Sequence, residues 1–440
     1  MLLQKRKIVL VSLFIVFILL ILLPRFISSN DNKSTRDGVI VEVPISAFDD
    51  KGRLIDPGWR NYLKHNKPIG IIFFADHFID KNKSKQIIKD IKDTVNDKVI
   101  LSADEEGGRI NRIKWLNVKS AEEIAFLYNK LKIEKSEKEA REFVKQQYKE
   151  MFNEMRELGL NMTFAPNLDL NKYGNLDENS EEYKNYKQCV KYVGLFRLKM
   201  YDKINGLSPR DIEIAEMFFV FLEEQGIRKL DTMRADKNYN NNIRLKWRTL
   251  DNKYRNKLKK HFQELAQYAN YASVVGDRSF GYNPEFVSKI AEIFVETAKE
   301  YGITCVMKHA LGHGRVDGDT HLEKQHISVS VEEILNDIKP YQKLSKKVHY
   351  VMLSHIIYDV IDKNNSAVNS RKVLDFIHKH INNEVISITD DISMGGAENQ
   401  IKNPCDLWII SDKPLDEVMK ISVLNRIDKN KAEYILSKMV

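Results

Sequence analysis

Ile303-Thr304-Cys305-Val306-Met307 passes without a break into Lys308-His309-Ala310-Leu311-Gly312-His313-Gly314, and Asp319-Thr320-His321 follows shortly after. The apolar half reads as a short buried strand. The Gly-rich half reads as a loop that gathers a lysine, histidines and aspartates above the strand's end. Asp319 and His321, two residues apart, suit a carboxylate that orients an imidazole and holds its charged form. Such a histidine can deliver a proton near neutral pH. For a single loop of this kind, a polar surface turn is the better reading, so the rest of the chain has to decide.

The strand-then-polar-loop unit recurs outward in both directions. Short apolar runs lie at 70–75, 99–103, 162–166, 303–307, 350–354, 385–389 and 407–411, with 39–43 or 273–275 available as an eighth. Helical stretches such as 142–158 and 284–301 lie between them. Near-continuous apolar strands alternating with helices predict a parallel sheet covered by helices. About eight repeats fit an α/β fold of the (β/α)₈ TIM-barrel type better than an open sheet. A barrel requires functional groups at the C-terminal ends of its strands. Asp76-His77, Asp104-Glu105-Glu106-Gly107-Gly108-Arg109, Asn167 with Asp169, the 308–321 loop, His355 and Asp390-Asp391 all follow candidate strands. Any one of these acids could be a helix cap; six polar clusters at one end of a barrel are harder to dismiss.

The chain has 440 residues and a formal net charge of +8. Its length allows one barrel or two smaller domains. The charge admits a polyanionic partner, but Lys, Asn and Ile are abundant throughout, and no nucleic-acid partner is expected. Three cysteines (Cys189, Cys305, Cys405) are too few and too scattered for a disulfide framework or a metal knuckle. Lys5-Arg6-Lys7 precedes an apolar run from Ile8 to Leu23 broken only by Ser12. Residues 1–27 therefore read as a signal anchor in the cytoplasmic membrane, or as a signal peptide if cleavage follows Ser29. Residues 28–38 form a polar tether, and 39–440 the barrel, placed outside the cytoplasm. The expected localisation is membrane-anchored, periplasmic or extracellular.

One stretch, about 171–270, breaks the alternation and reads as a helical insertion. Ser208-Pro209-Arg210-Asp211 has the form of a capping box with Pro at the first helical position, opening a helix that ends near Gly226. Ile243, Trp247, Leu250, Tyr254, Leu258, Phe262 and Leu265 predict one amphipathic helix with a Lys/Arg-rich outer face. That face is a solvated surface, or a site for polymeric substrate, a partner or anionic lipid.

Taken in order, Ser102-Ala103-Asp104-Glu105-Glu106-Gly107-Gly108-Arg109, the 158–169 segment, Asp277-Arg278-Ser279-Phe280-Gly281, the 308–321 loop and Ile388-Thr389-Asp390-Asp391-Ile392-Ser393-Met394-Gly395 resemble glycoside hydrolase family 3. The resemblance is to its bacterial β-N-acetylglucosaminidases that act on peptidoglycan fragments. It implies that Asp390 is a nucleophile forming a covalent glycosyl-enzyme, with His321 as acid/base and Asp319 orienting it. It also implies that Asp104, Arg109, Arg278, Lys308 and His309 bind the hydroxyls and acetamido group of an amino-sugar glycan. Two departures stand out. The family usually reads Lys-His-Phe-Pro-Gly-His-Gly, and here Ala310-Leu311 replaces Phe-Pro, which should loosen the start of the loop. The insertion is absent from ordinary members, and the segment after Gly396 looks shortened.

No metal and no cofactor is expected. His309 and His313 have zinc-ligand spacing only on a helix, which Gly312 and Gly314 disfavour; Asp317 interrupts any dinucleotide fingerprint. His355 reads as a core histidine, Asp391 as a cap, and Glu105 and Glu106 as braces or sugar ligands. A membrane-tethered glycan-binding protein and a glycoside phosphorylase remain as alternatives.

Overall fold

The computed structural model describes residues 35–200, 207–227, 237–316, 318, 320, 324–394 and 404–440. Eight strands form one sheet: β1 (Val39–Val41), β2 (Gly70–Phe73), β3 (Ile100–Ala103), β4 (Met162–Thr163), β5 (Thr304–Ala310), β6 (Tyr350–Leu353), β7 (Ile386–Thr389) and β8 (Trp408–Ile410). Every pairing is parallel, β1 through β7 lie in sequence order, and β8 sits beside β1. An Ile388–Leu407 bridge, with the Thr389 N–H donating to the Leu407 carbonyl at 3.0 Å, all but closes the ring between β7 and β8. The eighth strand is thus the 39–43 run; residues 273–274 end a short helix, Ala269–Val274, instead.

Both strand faces are buried, which is why the strands read as apolar runs. Ile40, Ile72, Ile100, Met162, Val306, Tyr350, Met352, Ile386, Ile388 and Ile409 pack together inside the ring. Their alternate neighbours, among them Val41, Ile71, Phe73, Leu101, Met307, Val351 and Leu353, pack outward against the helices. The helices start where side chains satisfy their first N–H groups: Asp56 caps Pro57–Asn66, Ser136 caps Glu137–Leu158 and Asn283 caps Pro284–Glu300. Gly159, at φ 96°, ends the longest of these three in the left-handed region that favours glycine.

The N-terminal end of the barrel is plugged. Ile427, Ile435 and Leu436 join the interior cluster, and the Tyr350 hydroxyl donates to the Ile435 carbonyl at 2.6 Å. The strand Thr35–Asp37 pairs antiparallel with Arg426–Asp428 beneath the strand starts. The residues that follow the strands collect at the opposite, C-terminal end.

The insertion is helical, as its charged sequence predicts, and has a core of its own. Glu181–Met200, Pro209–Glu224, Lys237–Thr249, Asn252–Ala266 and Ala269–Val274 bury Tyr186, Phe196, Phe218, Phe219, Trp247 and Phe262 in a cluster separate from the barrel's. Ser208 caps Pro209–Glu224 by accepting the Asp211 N–H. The single amphipathic helix expected over 243–265 is two helices. Asp251 accepts the N–H groups of Lys253 and Tyr254 and starts the second one. The apolar spacing runs across the break because both helices bury their stripes in the same core.

Among the described residues no helix is long and apolar enough to cross a membrane. The expected anchor and most of the tether, residues 1–34, lie outside the described residues.

Candidate active site

Parallel strands deliver their following residues to one end, and the polar groups collect there. Asp104 directly follows β3 and Asp390 directly follows β7. Lys308 and His309, expected in a loop, are strand residues, because β5 runs on to Ala310 with Asn167 bridged to Lys308.

Three of the expected sugar ligands form one ion network. The Lys308 ammonium lies 2.8 Å from Asp104 Oδ1 and 2.7 Å from Glu106 Oε1. Arg278 donates to both oxygens of Glu106, at 2.7 and 2.9 Å. Burial alone would raise the carboxyls. Lys308 and Arg112 outweigh it at Asp104, holding that carboxyl well below its usual range, and Arg278 and Lys308 hold Glu106 down to about 2. Burial also works against the Lys308 charge, but its two carboxylate partners more than restore it. Each charge is thus fixed in place before any ligand arrives, in strong charge-assisted bonds. Glu106 belongs to this network, whereas Glu105 braces the turn by accepting the Ile113 N–H at 2.7 Å.

Arg109 does not join that network. It is 3% exposed, and its guanidinium donates to the carbonyls of Ala272 and Val275 and pairs with Asp277 at 3.0 Å. The position beside Asp104 belongs to Arg112, which donates to Asp104 Oδ2 at 3.0 Å and lies over the Phe74 ring. A tight hairpin, Glu105–Gly107 against Ile110–Asn111, makes the exchange. Gly107 and Gly108 turn it at φ 93° and 57°; a Cβ on Gly107 would sit 2.6 Å from the Lys119 carbonyl. Arg109 leaves this hairpin toward the foot of the insertion and Arg112 returns to the mouth.

His309 is held from behind. Its Nδ1 lies 2.7 Å from Asp169 Oδ2, while Asp169 Oδ1 accepts the backbone N–H groups of His309 and His313 at 3.2 and 2.7 Å. His309, with its N–H groups, outweighs the burial of Asp169 and keeps that carboxyl well below its usual range. A carboxylate on Nδ1 fixes the ring's tautomer and turns Nε2 the other way. His313 is buried, which lowers its pKa to about 4 despite the nearby charges of Asp169 and Asp390. Its Nε2 lies 3.2 Å from the hydroxyl of Thr320. Thr320 stands between Asp319 and His321 in sequence, and those two lie outside the described residues.

Asp390 is anchored through its backbone, donating N–H to the Leu353 carbonyl at 2.8 Å, and its Oδ1 accepts the N–H of Asp391 at 2.9 Å. Asp391 faces elsewhere: it takes the Ser393 N–H at 3.0 Å and the hydroxyl of Ser411. His355 is buried and its Nε2 lies 2.8 Å from the Asp391 carbonyl, so it supports the turn that carries Asp390. The loop start is not loose. Leu311, having an N–H where proline has none, donates it to the Tyr358 hydroxyl at 2.8 Å, and that hydroxyl donates to the Gly312 carbonyl at 3.0 Å. Ala310 and Leu311 are fully enclosed.

Glu42, Asp76 and His77 bring ligand atoms within 4.8 Å of one another at the ends of β1 and β2. Both ring nitrogens of His77 are engaged, by the Phe74 N–H at 3.1 Å and the Val43 carbonyl at 2.7 Å, and the Asp412 N–H occupies Glu42. The cluster is therefore explained by protein partners alone. Sequence reasoning passed over Arg112, and it named Asp169 and His313 within its polar clusters without giving them a binding role. Their signal was position: each lies on a polar segment that follows a candidate strand.

Known proteins resemble this chain in sequence and in fold. The model of the "Glycosyl hydrolase family 3 N terminal domain" matches residues 53–202 and 266–406, leaving most of the insertion unmatched. Proteins named beta-hexosaminidase align with parts of the chain. The one from Actinobacillus pleuropneumoniae serotype 3 is 31% identical over 166 residues, which is 35% of this chain and 48% of that protein. The one from Idiomarina loihiensis is 32% identical over 137 residues, 31% of this chain and 42% of that protein. The aligned region thus spans about half the length of these relatives. Among solved structures, NagZ from Neisseria gonorrhoeae in complex with N-trifluoroacetyl-D-glucosamine superposes with a TM-score of 0.61 at 19% identity, covering 92% of this chain and 91% of that one. A family 3 beta-N-acetylglucosaminidase from Paenibacillus sp. str. FPU-7 gives 0.56 at 15% identity, over 91% and 60%. These likenesses establish the shared barrel. With two-thirds of its residues under the family model, the chain belongs to glycosyl hydrolase family 3.

Proposed function

We propose that the chain is a retaining β-N-acetylglucosaminidase that hydrolyses terminal N-acetylglucosaminides of peptidoglycan-derived glycans. The observation that carries this reading is the preorganised Asp104–Lys308–Glu106–Arg278 network at the same barrel end as Asp390. Family membership and the beta-hexosaminidase relatives support it. In this reading Asp104, Arg112, Arg278, Lys308 and His309 grip the hydroxyls and acetamido group. Arg109 acts one step back, shaping the segment that carries Arg278.

Asp390 attacks the anomeric carbon as the bond to the leaving oxygen breaks, forming a glycosyl ester. His321, its charge supported by Asp319, protonates that oxygen; the neutral imidazole then takes a proton from the water that cleaves the ester. Retaining enzymes ordinarily use two carboxyl groups for these roles. Here the second role falls to a histidine, and positioned proton transfer of this kind contributes roughly 10²–10⁴-fold. The roles of Asp319 and His321 rest on the sequence resemblance. The placement of His313 against Thr320 supports them by pinning the residue between the two.

We place the catalytic domain outside the cytoplasm, held to the membrane through residues 1–27. The mass of the mature N-terminus and membrane fractionation test that placement. For the reaction, the chain is incubated with a chromogenic N-acetylglucosaminide with and without phosphate. Release in phosphate-free buffer is expected. Strict dependence on phosphate would mean a phosphorylase, and no release in either buffer would mean a glycan-binding protein.

A further inference from the structure

The insertion concentrates nearly all of the chain's net charge. Residues 237–266 hold nine Lys and Arg against two Asp and Glu, while the remainder of the chain holds 61 against 60. A general Lys-rich bias would spread the excess; here it sits in two consecutive helices, Lys237–Thr249 and Asn252–Ala266. Part of it is neutralised inside the lobe, where Arg244 forms a two-pronged pair with Glu223 and Lys259 lies 3.4 Å from Glu224. Lys246, Arg248, Lys253, Lys257 and Lys260 are exposed and have no acidic partner among the described residues.

Their arrangement is regular. Leu258, Phe262 and Leu265 face the lobe's core, so Lys253, Lys257 and Lys260, at helical spacing, share the opposite face. Glu264 is the single acid at the end of that face. Lys246 and Arg248 join from the end of the preceding helix, across a turn held by Arg255, which donates to the Arg248 carbonyl at 2.8 Å and to Asn252 at 2.6 Å. Like charges held together with no acidic partner among the described residues repel one another, and an anionic partner relieves that repulsion.

We propose that this face binds a linear phosphate polymer, so that the insertion fastens the barrel to phosphate-rich material near its glycan. The occupant is a polymer rather than a lipid surface because of where the lobe sits. It leaves the barrel after β4, at the C-terminal end, whereas the described chain begins at Thr35 beneath the strand starts, at the other end. A barrel held to a membrane through its first residues carries the lobe at the end opposite its attachment. That step rests on the anchor proposed above; binding to the polymer itself does not. Leu245 and Tyr254, exposed beside Lys246 and Lys253, give a bilayer something to bury, so lipid is the opposing outcome.

The test uses the full-length chain in neutral detergent, with sodium polyphosphate as the probe and vesicles of phosphatidylglycerol as the opposing arm. Binding to polyphosphate is expected to weaken at least 10-fold between 50 and 200 mM salt, since about five phosphates are neutralised with a slope near −0.7 for each. The triple variant Lys253→Glu, Lys257→Glu, Lys260→Glu, all on the surface, should lose binding at least 10-fold. Its melting temperature should be unchanged, and its rate on a small chromogenic glycoside should stay within two-fold of the parent. No polyphosphate binding by the parent, or equal binding by the triple variant, overturns the proposal. Binding to detergent-free vesicles that is tighter than to polyphosphate and is lost in the triple variant overturns it in favour of lipid. Because binding is read without turnover, an inactive enzyme that still binds would sink the glycosidase reading and leave this one standing.

Discussion

Asp390 and His313 show how differently two residues at one barrel end can matter. Asp390 sits in a turn fixed through its backbone and braced by Asp391 and His355, so Asp390→Asn should leave the melting temperature unchanged. Removing a nucleophile should lower turnover at least roughly 10³-fold, and intact-mass measurement should no longer detect a glycosyl adduct. Unchanged turnover would remove Asp390 from the chemistry. His313 is held neutral by burial, with a pKa near 4, so its service is to hold Thr320 rather than to carry charge. His313→Ala should therefore lower kcat by about 10–100-fold, the effect expected of a displaced catalytic group, with KM little altered. A change confined to KM would show that the Thr320 contact does not set the position of its neighbours.

Lys308 tests the ion network as a unit. Asp104 keeps Arg112 and Glu106 keeps Arg278 when Lys308 is replaced, so Lys308→Met removes two buried charge-assisted bonds and should cost about 3–5 kcal/mol near pH 7. The sign with pH follows from Glu106. A carboxyl held at about 2 in the folded chain, against 4.5 when free, adds stability that is complete above about pH 5 and is lost as pH falls toward about 2. The variant should show a flatter loss of stability over that window in urea titrations at pH 7 and pH 3. An acid profile identical to the parent's would mean the pairing carries no stability.

At the scale of elements, β5 and its loop hold the clearest case. Leu311 and Tyr358 compensate for the missing proline, so Tyr358→Phe leaves a buried N–H and a buried carbonyl unsatisfied. The expected cost is about 1–3 kcal/mol, with slower turnover because the displaced segment leads to Thr320. Restoring proline at Leu311 in the Tyr358→Phe background should recover part of the loss, and no recovery would refute the compensation. The strands themselves were legible because both faces are buried and each ends in a polar residue, as at Ala103-Asp104 and Thr389-Asp390. The choice between Arg109 and Arg112 was not legible. Both belong to one hairpin, and its reversal at Gly107 and Gly108 depends on a close approach to Lys119 and Ser120 that no periodicity announces. The break at Asp251 was hidden for the opposite reason: the apolar stripe keeps its phase across the turn, and only the capping aspartate marks it.

For the whole molecule, two separate cores predict two separable stabilities. The insertion's cluster is built around Trp247, which is 1% exposed, stacks on Phe262 and donates its indole N–H to Glu224 at 2.9 Å. Trp247→Ala should destabilise the lobe by about 3–5 kcal/mol and let it open locally while the barrel stays folded. The lobe's last turn is held independently, since Arg109 grips the Ala272 and Val275 carbonyls and Arg278 the Val274 carbonyl at 2.6 Å. That foot should keep Arg278 in place after the helices above it loosen. Limited trypsin digestion should then cut the variant within residues 207–266 at a dose that spares the parent. The barrel's melting transition should be unshifted, and the rate on a small chromogenic glycoside should remain within about two-fold, because neither core shares residues with the other. A single merged transition, shifted down as a whole with activity falling in step, would show that the insertion is an integral wall of the barrel rather than a lobe set on it.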